Sequence, residues 1–272
     1  MLRTGLQTRV HTMPNTFGPQ RSGIFGNGLR SVGISLCLFS GLSAGAACGQ
    51  DQLKGVVELF TSQGCASCPP ADANLRKLIQ NGDVIGLSYH VDYWNYLGWT
   101  DSLASKENTE RQYGYARALG RNNVYTPQAV VNGRDHVKGA DIQLIYRRLD
   151  DFNKAGEGLS VPISTERVGD EIEIDIGAGQ GKADVVVAYF NREQVVDVQK
   201  GENQGKTISY WHSVYDVQTV GMWDGKAMTV KLPASVMSKA KSGGCAVLLQ
   251  KMDAAGNPSA IVGANVLMQS EG

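Results

Sequence analysis

Residues 56–72 read VVELFTSQGCASCPPAD, and this stretch decides the fold that the sequence predicts. Residues 56–60 are rich in β-branched and large apolar side chains, which is typical of a short buried strand. In residues 68–80 the apolar side chains recur at helical spacing. The pattern therefore predicts a strand, a tight turn and a helix, with Cys65 and Cys68 at the start of the helix.

The position of the two cysteines has a chemical reason. Unpaired backbone N–H groups and the positive end of the helix dipole stabilise an anion at a helix start, so a cysteine there is partly a thiolate. We expect Cys65 to be the exposed nucleophile and Cys68, one turn into the helix, to be the resolving thiol.

Two other interpretations of the cysteine pair have to be weighed. A structural zinc site needs two further ligands, and the sequence has neither a second cysteine pair nor an HxxxH spacing. We therefore expect no metal, and we also expect no cofactor. A structural disulfide is an open alternative, although a loop of two residues constrains the unfolded chain only weakly.

The composition is that of a globular protein. The chain has 272 residues, of which 42% are hydrophobic, so it can form one large domain or two smaller ones. Acidic and basic residues are equal in number, 26 of each, which leaves no excess of positive charge to neutralise phosphates. Nucleic acid is therefore not an expected partner.

The first fifty residues differ from the rest, since they contain four arginines and no Asp or Glu. The apolar run at 32–42 and the small residues at 43–47 complete the layout of a secretory signal peptide, and the run is too short to span a bilayer. We predict that residues 1–47 are cleaved and that the mature protein is periplasmic or secreted, without an integral membrane span. An organellar transit peptide and a lipid anchor on Cys48 are the alternatives.

Two segments with different patterns follow. In residues 54–154, short apolar runs alternate with amphipathic stretches in the order strand, helix, strand, helix, hairpin, helix. The turn of the hairpin is predicted at Asn132-Gly133. In residues 159–270 the helical periodicity stops, and short strands at regular intervals predict an all-β sandwich. We therefore predict two domains after the signal peptide.

The chain resembles a known family of secreted, thioredoxin-like bacterial proteins, domain of unknown function 1223. The resemblance rests on VVELFTSQGCASCPPAD and on HVDYWNYLGWTD at residues 90–101, and it extends over most of residues 54–268. YTPQAVVNGR at 125–134 and GENQGKTISYWHSV at 201–214 belong to it. The resemblance implies an α/β thioredoxin-like fold, a mixed central sheet flanked by helices, and the strand pattern adds a C-terminal all-β sandwich-like domain.

The resemblance to the wider thioredoxin fold also implies roles for particular residues. It implies that Thr126-Pro127 is a cis-proline turn beside the cysteine pair, where the backbone of a partner can pair as a strand. Glu58 lies near the place where thioredoxins carry a buried acid that moves a proton to the resolving cysteine. Because Val57 and Leu59 point the opposite way, an ordinary hydrogen-bonded or exposed glutamate is the alternative.

The loop at residues 90–101 has two interpretations. It concentrates aromatic residues after a predicted central strand, where open α/β sheets place ligands, so His90 and Trp94 are candidates for substrate binding. Alternatively the loop is a packed structural element. Two ligands, His90 and Asp92, do not make a metal site. For residues 201–214 we expect turn structure and packing between domains.

We expect Cys245 to be a buried small side chain, which can pair with Cys48 if cleavage leaves that residue in place. The function that we predict is an exported thiol–disulfide oxidoreductase. Its partners are a protein or small-molecule thiol or disulfide substrate and a redox partner protein. The alternative is a non-catalytic binding module that holds a peptide or small ligand, with the cysteine pair as a structural disulfide.

Overall fold

The stretch at residues 56–72 forms the predicted strand, turn and helix. The computed structural model describes residues 53–239 and 243–269. The first strand is Gly55–Thr61, buried along its whole length, and the first helix is Pro69–Asn81. Prolines occupy the first two helical positions, where a missing N–H is least costly, and Gly82 ends the helix in the left-handed conformation.

The described residues form eleven strands and three α-helices. The strands are β1 (Gly55–Thr61), β2 (Val84–His90), β3 (Gln128–Val131), β4 (Asp135–Lys138), β5 (Ile163–Val168), β6 (Glu171–Ile176), β7 (Ala183–Asp197), β8 (Thr207–Trp223), β9 (Met228–Pro233), β10 (Gly243–Met252) and β11 (Pro258–Met268). The helices are α1 (Pro69–Asn81), α2 (Lys106–Ala118) and α3 (Ile142–Lys154), and short 3₁₀ helices span Asn95–Leu97 and Ala234–Lys239. None of the three α-helices, each of 13 residues, is long and apolar enough to cross a membrane.

The strands form one large mixed sheet and one small sheet. The large sheet has eight strands in the order β11, β10, β7, β8, β2, β1, β3, β4, and the small sheet has the order β5, β6, β9. Strand β1 lies parallel to β2 and antiparallel to β3. Strands β7 and β8, of 15 and 17 residues, form a long antiparallel hairpin.

The predicted fold class is wrong. The protein is mostly β, and three short helices beside an eight-stranded sheet do not make a helix-flanked thioredoxin fold followed by a separate sandwich. The cause is β8, which lies in a segment where the sequence analysis expected turns. It pairs in parallel with β2 through Ser88 and Ser213, so strands of both predicted segments belong to one sheet. Together the described residues form one compact unit.

The two faces of the large sheet bury different cores. Alternate residues of β1 point to opposite sides, as the two-residue period of a strand requires. Val57 and Leu59 pack against α1 and α3 in one core, whereas Val56 and Phe60 lie in another with Tyr115 of α2. A third core lies between the small sheet and residues of β7 and β10. The cysteine turn therefore lies on a strand that is covered on both faces.

The predicted hairpin turn at Asn132-Gly133 is confirmed, and it also contacts the end of the chain. Both residues have positive φ, 48° and 63°, as a tight hairpin requires. Ile261 of β11 donates its N–H to the Asn132 carbonyl at 2.9 Å. A Cβ on Gly133 would lie 2.0 Å from the Ser259 carbonyl oxygen. Glycine is thus required here by the conformation and by the close approach of β11.

We predict that Gly133→Ala destabilises the protein far more than Gly120→Ala. Gly120 has nearly the same φ, 66°, but nothing lies within 4 Å of the position of its missing Cβ. Both changes incur the cost of a left-handed alanine, roughly 1 kcal/mol. At Gly133 the clash with backbone adds ~2 kcal/mol or more. Urea unfolding measures both values, and equal losses would contradict the packing of the turn against β11.

Candidate functional site

The cysteine turn joins β1 to α1 and contains a disulfide. The sulfur atoms of Cys65 and Cys68 are 2.14 Å apart. Hydrogen bonds from Cys65 N to the Ser62 carbonyl and from Cys68 N to the Cys65 carbonyl, both 3.1 Å, close two successive tight turns. Cys68 takes the N-cap position of α1. The predicted position of the cysteine pair at a helix start is therefore confirmed.

Both cysteines are buried. The exposed fraction is 1% for Cys65 and 0% for Cys68, so the prediction that Cys65 is exposed is wrong. Ala66 and Ser67, the two residues between them, are exposed. The Ser67 hydroxyl lies 3.5 Å from the Cys65 sulfur. The disulfide therefore lies just below the surface, behind the tip of its own turn.

A loop from the second half of the chain covers this turn. We call residues 198–206, which join β7 to β8, the covering loop. Its Asn203 is fully buried, and the side-chain Nδ2 donates to the carbonyls of Gln63 and Cys65, each at 2.9 Å. Lys206 Nζ donates to Asn203 Oδ1 at 2.8 Å, which orients the amide. One side chain thus satisfies two backbone carbonyls of the cysteine turn.

Further contacts hold the covering loop against the site. Ala66 donates its backbone N–H to Glu202 Oε2 at 3.3 Å. The ends of the loop belong to a small apolar cluster that joins β8 to the aromatic loop at residues 90–101. This cluster contains Val198, Ile208 and Tyr210, with Trp99, Leu103 and Val196 packed against it. The loop is therefore held by apolar packing as well as by hydrogen bonds.

The predicted proline turn and Trp94 also lie at the site. The Thr126-Pro127 peptide bond is cis, as the resemblance implied. Trp94 Nε1 donates to Thr126 Oγ1 at 2.8 Å. A Cβ on Gly64, the residue before Cys65, would lie 3.2 Å from the Trp94 Cβ. Trp94 therefore bridges the cysteine turn and the proline turn, and it is partly exposed.

His90 lies below this surface and is 1% exposed. Its Nδ1 donates to Asp101 Oδ2 at 2.8 Å, and the same oxygen accepts the Gln63 N–H at 2.7 Å. Burial by itself would raise the pKa of Asp101, but the interactions with His90 and with the backbone N–H groups of Gln63 and Leu103 outweigh it and lower that pKa. Asp101 thus connects the aromatic loop to the cysteine turn.

Asp72 is a second buried carboxyl near the cysteines. It lies in the first turn of α1 and is 4% exposed, and neither carboxyl oxygen has a hydrogen-bond partner among the described residues. The Thr61 hydroxyl approaches it without normal hydrogen-bond geometry. Burial, with a smaller contribution from Asp101, outweighs the opposing effects of His90 and Thr61 and raises the pKa of Asp72 to about 7. Asp72 therefore changes its charge near neutral pH.

Glu58 lies in a different network. Its side chain is on the face of β1 that carries Val56 and Phe60, opposite to the face that packs on α1. Arg111 Nε donates to Glu58 Oε1 at 2.8 Å, and the Tyr115 hydroxyl donates to the other oxygen. Gln250 of β10 hydrogen-bonds to both Arg111 and Tyr115. Glu58 thus joins β1, α2 and β10 in a buried ion-pair network.

The structure brings together most of the residues that the sequence singled out: Cys65, Cys68, Trp94, Thr126 and Pro127. His90 acts on the same turn through Asp101 and Gln63. Three residues of the site were not predicted from the sequence: Asp72, Asp101 as the acceptor of the Gln63 N–H, and Asn203. The sequence did contain an indication of Asp72, because a residue four positions after Cys68 lies on the same face of the predicted helix. No local pattern could have indicated Asn203, which is 138 residues from Cys65.

Cys245 is buried, as predicted, and forms no disulfide with another described residue. Burial raises the pKa of its thiol to about 12. Its pairing with Cys48 and the cleavage after residue 47 lie outside the described residues. No group of three or more His, Cys, Asp or Glu side chains in residues 53–239 and 243–269 is arranged to hold a metal ion.

Comparisons with known proteins place the chain in a family. The model of the family described as "Protein of unknown function (DUF1223)" matches residues 56–250. The chain is similar to protein AGR_C_4864 from Agrobacterium tumefaciens, known from a crystal structure, with 73% sequence identity and a TM-score of 0.77. The match covers 82% of this chain and 98% of that protein. No curated protein matched the chain.

We predict that Asn203→Ala speeds up reduction of the Cys65–Cys68 disulfide. The change removes two hydrogen bonds of ~1 kcal/mol each, so opening of the covering loop becomes about 30-fold more favourable. The rate of reduction by dithiothreitol in native buffer should rise by a similar factor. Gln204→Ala, an exposed position in the same loop, is the matched control. Equal rates for both variants would show that the loop does not limit access.

We also predict that Asp72→Asn stabilises the oxidised protein at alkaline pH. The pKa of Asp72 is about 7 when folded, against 3.8 for an ordinary carboxyl, so the wild type loses stability as pH rises through this window. The shift corresponds to ~4 kcal/mol at most, and asparagine cannot ionise.

Urea unfolding of both proteins measures this difference. The two stabilities should be close near pH ~4 and should separate in favour of Asp72→Asn by pH ~8. Asp150→Asn, an exposed change on α3, is the control and should stay within ~0.5 kcal/mol of wild type throughout. A constant difference between Asp72→Asn and wild type would contradict a titration of Asp72 near neutral pH.

Proposed function

Because this chain belongs to the family of proteins of unknown function DUF1223, its activity has to be inferred from its own residues, and we propose that it is an exported thiol–disulfide oxidoreductase. Cys65 and Cys68 exchange a dithiol and a disulfide with a protein or small-molecule substrate, and a redox partner protein restores the starting state. The proposed location is the periplasm or the extracellular space, because residues 1–47 have the layout of a signal peptide and these compartments preserve disulfides.

The main support for this proposal is the position of the cysteine pair at the amino end of α1. Cys68 is the N-cap residue, and the Cys65 sulfur is bonded to it. The unpaired N–H groups and the dipole of the helix favour the thiolate over the thiol when the disulfide is reduced. A thiolate is both the attacking and the leaving group in disulfide exchange, so this position supports reactivity at both steps.

The reaction consists of two exchanges. In the reductive direction the Cys65 thiolate attacks one sulfur of a substrate disulfide, forms a mixed disulfide and releases one substrate thiolate. The Cys68 thiol then loses its proton, and its sulfur attacks the Cys65 sulfur, which releases the second substrate thiolate. Two electrons pass from the cysteines to the substrate, and the released thiolates take up protons. The reverse sequence oxidises a substrate dithiol.

Substrate binding requires the covering loop to move, because Cys65 is 1% exposed. Near the cysteine turn, Trp94 and Thr126 are partly exposed and Pro127 is buried. The hydrogen bond between Trp94 and Thr126 holds the aromatic ring beside the proline turn. We propose that an extended substrate segment lies along this turn, with Trp94 as its apolar wall. His90 is buried, and in this proposal it orients Asp101 instead of contacting the substrate.

One specific observation favours a second function: both cysteines are buried, and Asn203 hydrogen-bonds to the turn that contains them. In this alternative the chain is a binding module for a peptide or small ligand, and the disulfide is structural. A structural disulfide resists reduction and is not exchanged with glutathione in the native protein. The two functions therefore differ in the fate of Cys65.

We expect Cys68→Ser to accumulate a mixed disulfide at Cys65 when the reduced full chain is incubated with glutathione disulfide. Without the resolving thiol, the first exchange stops at the adduct. The matched control, Cys65→Ser, should form little adduct at Cys68, which is 0% exposed. Mass spectrometry of the intact protein and of its peptides locates the adduct.

Two outcomes would favour the structural alternative. One is a wild-type disulfide that dithiothreitol cannot reduce and glutathione disulfide cannot restore in native buffer. The other is a failure of both single variants to form an adduct. Buried Cys245 and the cysteines outside the described residues are distinguished from Cys65 at the level of peptides.

A further inference from the structure

We infer that Asp72 is the acid–base group of the cysteine pair: it takes the proton from the Cys68 thiol and returns it when the disulfide is reduced. This inference rests on the proposed exchange reaction and assigns one of its steps to a residue. The carboxyl group of Asp72 lies in the first turn of α1. It is 4% exposed, and both oxygens lack hydrogen-bond partners among the described residues. Burial of a carboxyl group without hydrogen-bond partners lowers the stability of the folded protein. A catalytic role is one explanation for such a group in a native structure.

The helix sets the distance between Asp72 and Cys68. The Asp72 N–H donates to the Cys68 carbonyl at 3.1 Å, so the two residues are one α-helical turn apart. Residues four apart on a helix lie on the same face, with Cβ atoms about 5–6 Å from each other. The carboxyl can therefore reach the Cys68 sulfur directly or through one water molecule.

Other groups around Asp72 tune its charge. Thr61 comes from the end of β1, His90 from the end of β2, Asp101 from the aromatic loop and Tyr210 from β8. His90 favours the ionised carboxylate, whereas Asp101 and burial oppose it. The resulting pKa of about 7 lies near the working pH, where a group can both accept and donate a proton.

Glu58, which the sequence suggested for this role, is engaged elsewhere. Its carboxylate is bound by Arg111 and Tyr115 on the face of the sheet opposite to α1. Asp72 has a free carboxyl on the face where α1 lies. We therefore assign the proton transfer to Asp72.

The proton balance of the step is simple. In the mixed disulfide the Asp72 carboxylate takes the Cys68 proton, and the new thiolate forms a bond to the Cys65 sulfur. The bond between Cys65 and the substrate sulfur breaks, and the substrate leaves as a thiolate. The protonated Asp72 then gives its proton to that thiolate or to water. The cysteines are oxidised by two electrons, and the substrate is reduced.

The test follows the titration of the Cys68 thiol in chemically reduced full-length protein, so it does not require a substrate. Cys68 is followed by the pH dependence of its alkylation by iodoacetamide, resolved by peptide mass spectrometry. In wild type the titration should be spread over two steps, because ionised Asp72 raises the pKa of the neighbouring thiol. In Asp72→Asn one step should remain, at lower pH. Asp72→Glu should restore two steps.

A second readout measures the exchange itself. The adduct between glutathione and Cys65 should resolve about 100-fold more slowly in Asp72→Asn than in wild type, with partial recovery in Asp72→Glu. A Cys68 titration that is the same in wild type and Asp72→Asn overturns the assignment of Asp72. If no variant forms the glutathione adduct, the result counts against the proposed function instead. Different results therefore contradict the assignment of Asp72 and the proposed function.

Discussion

The site depends on one buried side chain, the amide of Asn203. Its nitrogen donates to the carbonyls of Gln63 and Cys65, and these bonds join the tip of the β7–β8 hairpin to the turn that carries the disulfide. A buried backbone carbonyl without a donor costs more than an ordinary hydrogen bond contributes, so the turn and the loop stabilise each other. Lys206, from the same loop, donates to the oxygen of the Asn203 amide and fixes its orientation. Both bonds from the amide nitrogen therefore depend on the position of the covering loop.

The same hairpin explains the architecture of the large sheet. Strand β8 reaches β2 through the Ser88 and Ser213 pair, and His212 Nδ1 donates to the Gly86 carbonyl at 2.9 Å beside that pair. These contacts make one sheet out of strands from both parts of the chain. The loop that contacts the cysteine turn and the strand that joins the two parts of the sheet therefore belong to one long supersecondary element.

The two buried acids near β1 have different surroundings and so different chemistry. Glu58 faces Arg111 and Tyr115, which compensate its charge and make it part of the structural core. Asp72 has no cation in hydrogen-bond contact among the described residues, and burial raises its pKa to about 7. Strand alternation separates them, because Glu58 is on one face of β1 and α1 packs on the other. A carboxyl can be a structural or a reactive group according to that environment.

The sequence by itself determined the local elements of the site. The apolar run of β1, the prolines at the start of α1 and the positive-φ turn at Asn132-Gly133 are set by short-range sterics and hydrophobic period, and the structure contains them close to the predicted bounds. The family resemblance added the cis Thr126-Pro127 bond. Only the tertiary structure decided that β8 joins β2, that Asn203 covers Cys65 and that Asp72 is left without a partner. The first two features depend on contacts between residues more than a hundred positions apart. The surroundings of Asp72 come from Thr61, His90 and Asp101 on other elements and from Tyr210 of β8. The packing of the whole sheet sets these pairings, and they leave no local pattern in the chain.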